Sequence, residues 1–156
     1  MVTRRHSPSS LVDERVFCFK LMKLTHFEQV EYFYERVEGW LLVHEAEHNL
    51  ILGICTDLMR YPEQVVEQPY LAVAEQDGEH LGVALMMPPS NLVLSRVAQT
   101  EVMPLLARDL HGRYKSIPAV VGAMPGAQTF VEEWQRLSGQ RYSLVQAQGI
   151  YQLEEV

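Results

Sequence analysis

The stretch Gly39–Tyr61, GWLLVHEAEHNLILGICTDLMRY, constrains this chain more than any other. Leu41, His44, His48, Leu52 and Cys55 recur at helical spacing, with Ile51 and Leu58 close by on the same side. That periodicity predicts one long amphipathic helix. Glu45, Glu47, Asn49, Thr56 and Asp57 are left to face water or a cleft. Pro62 stops the helix, because proline supplies no amide and disfavours helical backbone at Tyr61. The same stretch holds His44-Glu45-Ala46-Glu47-His48, which fits H-E-x-x-H letter for letter. In a zinc peptidase, two histidines four apart on a helical face bind the metal and the glutamate activates water.

Length and charge narrow the classes. A chain of 156 residues suggests one domain with a buried core. The net charge is -7, with 20 acidic against 13 basic side chains. No basic stripe supports nucleic-acid binding. Residues 1–12 are polar and are expected to be loosely ordered, with residues 13–156 forming the domain. No apolar run reads as a signal peptide or spans a bilayer, so a cytoplasmic protein is expected. Cys18 and Cys55 sit in apolar surroundings and read as buried free thiols.

The remaining elements follow from local signals. Val16–Met22 reads as a first strand. Thr25 with Glu28 forms a capping box for a helix to about Glu38, with Phe27, Val30, Phe33 or Tyr34, and Val37 inward and Gly39 ending it. Gln76-Asp77-Gly78-Glu79 is a hairpin turn between Tyr70–Ala74 and Leu81–Met87. Pro88-Pro89 breaks the pattern, and Asn91–Val97 is a third strand. A helix runs from about Thr100, its candidate cap, to His111, closed by Gly112. Ile117–Gly122 reads as a strand covered on both faces. A helix over about Ala127–Leu137 turns Phe130, Trp134 and Leu137 inward. Strands at Tyr142–Ala147 and Ile150–Leu153 end the chain. Strands alternating with helices, plus hairpins, predict an α/β fold with a mixed, mostly antiparallel sheet flanked by helices.

That order resembles the GNAT acyltransferase fold. EAEHNLILGI, YLAVAEQDGEHLGVALMMPPSNLVLS, IPAVVGAMPGAQTFVEEW and IYQLEEV resemble the N-terminal half of two-domain GNAT-family N-acetyltransferases. The resemblance implies a domain that docks on a catalytic GNAT domain or on a second copy of itself. It also implies where acetyl-CoA would lie in an active member. A strand splays from its neighbour to admit the pantetheine arm, and the next helix offers amides to the pyrophosphate through R/Q-x-x-G-x-G/A. Here the strand is NLVLSRV, so Leu94, Ser95, Arg96, Val97, Gln99 and Thr100 would touch the cofactor. Arg96 fits the pattern. Gln99 replaces the first glycine and Glu101 the second small residue, which damages both close approach and charge. The resemblance therefore implies a degenerate cofactor turn, with a stand-alone acetyltransferase as the alternative. The family's tyrosine acid on the last helix aligns with Val131, leaving Tyr114 and Tyr142 outside that helix.

A zinc hydrolase built on His44, Glu45 and His48 is the second alternative. It lacks a signalled third ligand, since only Glu67 or His80 could be offered, and Glu47 puts a charge inside the motif. The expectation is that both histidines are part-buried and hydrogen-bonded to backbone or carboxylates. Met86, Met87, Met103 and Met124 are expected in the core, and Tyr32, Tyr34 and Trp40 as half-buried packing. Glu31, Glu35 and Glu38 read as a solvated helix face.

Overall fold

Asp77 and Gly78 both take positive φ, 53° and 81°. That pair is what a two-residue turn needs to match the right-handed twist of its strands. It joins β2 (Tyr70–Gln76) to β3 (Glu79–Met86), the centre of the fold. The computed structural model describes residues 22–146 and 150–154. Before the hairpin come β1 (Lys23–His26), α1 (Val30–Leu42) and α2 (Glu45–Arg60), then a 3-10 turn at Pro62–Gln64. After it come β4 (Leu92–Leu94), α3 (Val102–His111), β5 (Ala119–Gly122), α4 (Gly126–Ser138), β6 (Tyr142–Gln146) and β7 (Ile150–Leu153).

One sheet of 7 strands results, in the order β1-β2-β3-β4-β5-β7-β6. Among the described residues only β4 and β5 pair in parallel, from Leu92↔Val120 to Leu94↔Gly122; the other pairings are antiparallel. The pleat divides the core in two. Leu71, Val73, Val83, Leu85 and Val93 pack under α1 and α2 with Phe33, Val37, Leu41 and Ile51. Tyr70, Ala72, Ala74, Leu92 and Leu94 pack on the opposite side with α3 and α4, around Leu106, Phe130 and Trp134. A mixed α/β sheet covered on both faces is thus the architecture.

Several expected boundaries change. The first described strand is Lys23–His26, so Thr25 lies in a strand and caps nothing; Gln29 precedes α1. Thr25 instead donates its hydroxyl to the buried Glu75 carboxylate across the β1–β2 pair, at 3.0 Å. The expected Val16–Met22 strand lies outside the described residues except for Met22, which is not in a strand. Residues 1–12, expected to be loosely ordered, and Cys18 also lie outside them. Second, α1 runs through Gly39 to Leu42. Burying Leu41 completely outweighs the small helix penalty of one glycine. Third, the single long helix is two, broken at Val43-His44, and α2 ends before Pro62 as expected. Strand β4 is also shorter than Asn91–Val97, and α3 starts at Val102 behind Glu101 rather than on a Thr100 cap. At the far end, Gly139 closes α4 at φ 82°.

Candidate functional site

The α1–α2 break exposes a helix end, and His48 closes it. Its ring is buried and its Nδ1 stands 2.9 Å from the Leu41 carbonyl oxygen. A carbonyl only accepts, so Nδ1 donates. The Arg96 backbone amide, 3.2 Å away, donates to Nε2. Both ring nitrogens are therefore taken by main-chain groups, and the partners fix the tautomer. Trp40 stacks on the ring at 5.6 Å between centroids. His48 thus ties the end of α1, the body of α2 and the end of β4 together.

His44 behaves differently from its expected part-buried role. It precedes α2 at φ -128° and ψ 62°, outside the helix, with its side chain 46% exposed. Its Nδ1 lies 3.2 Å from Arg96 Nη1, and the same guanidinium nitrogen donates to Glu47 Oε1 at 2.8 Å. Glu45 is exposed in the first turn of α2. The H-E-x-x-H letters are therefore spent on helix capping and on holding Arg96. His80 lies on β3, hydrogen-bonded to the Arg36 carbonyl, and Glu67 lines an opening beside Tyr114. Among the described residues, no group of three or more His, Cys, Asp or Glu side chains is arranged to hold a metal.

Two stretches of sequence thus converge: the start of α2 grips Arg96, which opens the turn after β4. The structure also shows how that turn is built. Pairing of β4 with β5 ends at Leu94↔Gly122. The chain then stays with β3. The Ser95 amide donates to the Val83 carbonyl, the Ser95 hydroxyl accepts from the Val83 amide, and the Ala98 amide donates to the Leu81 carbonyl. Strand β4 therefore parts from β5 while keeping its other neighbour. Gly122 permits the last close approach, since a Cβ there would stand 2.9 Å from Leu94 Cβ.

Beside this parting lies an open cavity of about 460 Å³. Leu50, Ile51, Val93, Val121 and Met124 make its walls apolar, and Glu47 is its charged residue. Leu50 and Met124 stay exposed at 46% and 43%. Of the four methionines expected inside, Met86 and Met103 are buried and Met87 is partly so; Met124 instead forms part of this rim.

The side of the turn that faces α4 is filled. A Cβ on Gly126 would stand 2.9 Å from Met103 Cε and 3.1 Å from Val97 Cγ2. A Cβ on Gly82 would meet Val97 Cγ1 at 2.8 Å. Val97 is thus wedged between β3 and the start of α4. The first amides of α3, Val102 and Met103, donate back to the Gln99 and Thr100 carbonyls. Glu101 already places a carboxylate at the positive end of that helix. Gln99 reaches instead toward Gln76 on β2, at 3.5 Å.

Val131 is buried without a hydroxyl to offer. Tyr142 accepts from Gln128 Nε2 at 3.4 Å, and the buried Tyr151 donates to the other end of that amide. Tyr114 lies past the end of α3. Sequence reasoning missed Glu47 and Trp40 as partners of Arg96 and His48. The available signal was Arg96 itself, a cation at the end of an apolar strand. The chain matches no protein-family model, no curated protein and no solved structure. No described helix is long and apolar enough to cross a membrane.

Proposed function

We propose that this chain is a GNAT-like acyltransferase domain that does not hold acetyl-CoA itself. In this reading it shapes or supports a site completed by a catalytic GNAT domain or by a second copy. The element order and the lone parallel pair that parts beside a cavity support the architecture. The observation that carries the functional half is the turn after β4. Val97 and Met103 occupy the space next to Gly126, and Glu101 stands at the end of α3 that a diphosphate would use. A phosphate brought there would meet apolar side chains and a like charge. The exposed Leu50 and Met124 offer apolar surface to a partner at the cavity mouth.

Calorimetry with acetyl-CoA is the direct test: the chain alone is expected to give no saturable heat in the micromolar range. Micromolar binding that shifts Arg96 and Ser95 would replace this reading with a stand-alone acetyltransferase. The open cavity between α2 and the β4–β5 ends is the feature that favours that second reading.

A further inference from the structure

A second opening, about 430 Å³, lies where β1 ends, β2 begins and the chain leaves α3. It shares no lining residue with the cavity beside Arg96. Three of its lining residues, His26, Tyr70 and Arg113, converge on one oxygen behind it. Asp109 Oδ2 accepts from the Tyr70 hydroxyl at 2.6 Å and from His26 Nε2 at 2.8 Å, and Arg113 Nε stands 3.2 Å from it. The Arg113 guanidinium also lies over the Tyr70 ring, 5.6 Å from its centroid. The group is therefore held at one edge and on one face. A guanidinium ordered in advance loses little entropy when it binds a further acceptor.

The remaining donors of the half-exposed Arg113 side chain find no acceptor among the described residues. Nη2 faces His26 Nε2 at 3.2 Å, but that nitrogen already donates to Asp109 and cannot accept. Nη1 has no acceptor among the described residues. Tyr114 lines the same opening, and its hydroxyl has no hydrogen-bond partner among them either. Two donors without a protein acceptor at one opening suit a ligand with two acceptor oxygens. The surrounding charge narrows the choice. Arg113 is the one residue with a permanent positive charge in the lining, while Glu28 also lines it, Asp109 lies behind and Glu67 acts on Tyr114. Arg113 already faces Asp109, so those carboxylates repel a doubly charged phosphate more strongly than a singly charged carboxylate. Phe27, Pro69 and Leu71 supply apolar wall for the rest of the ligand.

We propose that this opening binds a small monocarboxylate with an apolar or aromatic body, its carboxylate held by Arg113 and Tyr114. The test is amide NMR titration of the full chain with phenylacetate, and separately with phenethyl alcohol and inorganic phosphate. Phenylacetate alone is expected to give saturable shifts centred on His26, Leu71, Arg113 and Tyr114. Affinity falls about tenfold in Arg113→Lys and about threefold in Tyr114→Phe. Equal binding of the alcohol reduces the site to an apolar hollow, and equal binding of phosphate reduces it to a general anion contact; either overturns the proposal. Shifts confined to the cavity beside Arg96, or none, do the same. Tyr114→Phe keeps the ring on Tyr70, so the test survives if Arg113→Lys unfolds the chain.

Discussion

His48 and His44 share a motif and nothing else. The first is buried with a main-chain partner on each nitrogen; the second is exposed at a helix start. Replacing His48 by alanine strands the Leu41 carbonyl and the Arg96 amide and leaves a void beside Trp40. The expected cost is about 3 kcal/mol. His44→Ala should stay within about 0.5 kcal/mol, as exposed substitutions do. Urea unfolding of the two variants reads the contrast directly; equal costs would mean that His48 is not the fastener described. Helical spacing alone turned His48 inward and marked Cys55 and Leu58 as buried. It could not supply the Arg96 amide, which lies 48 residues away. Nor could spacing expose Glu47 as an arginine's partner rather than a stray charge inside a metal motif.

Element boundaries were legible where a residue type leaves the backbone little choice. Asp77-Gly78, Pro62 and Gly139 end or turn their elements as their chemistry requires. Gly39 misled for the opposite reason. Glycine permits a helix end without demanding one, and the burial of Leu41 decided the matter. The position is exposed in mid-helix, and a Cβ there would meet nothing within 4 Å. Gly39→Ala is therefore expected to stabilise the protein by about 0.5–1 kcal/mol, seen as a higher melting temperature. A drop would contradict continuous helix through this residue. Thr25 shows a similar limit. Its side chain can cap a helix or bond across a sheet, and the buried Glu75 carboxylate, paired with Arg36 at 2.8 Å, recruits it to β1.

Across the whole molecule, Asp109 joins β1, β2 and α3 on one oxygen. Burial works to raise its carboxyl pKa, but hydrogen bonds from Tyr70 and His26, with the nearby Arg113 charge, outweigh burial and hold it below its ordinary 3.8. A depressed carboxyl stabilises the fold above the unfolded value, and that contribution disappears as pH falls through the folded one. Asp109→Asn should therefore cost most near neutral pH and lose its disadvantage progressively below about pH 4. Melting curves of both proteins across that range check the sign; a gap that widens in acid would refute it. Burial likewise pushes the Cys55 thiol up to about 12, consistent with a packing role.

The sequence by itself determined the class of fold. Apolar periodicity and turn chemistry are local, and they set the succession of strands and helices and the need for a mixed sheet. It also showed that the turn after β4 carries Gln99 and Glu101 where the resemblance wants small residues. Only the tertiary structure decided what fills that turn, who holds Arg96, and that His26, Tyr70, Asp109 and Arg113 meet at all. Those contacts join residues dozens of positions apart, and their geometry depends on sheet register and helix placement, which no local pattern encodes.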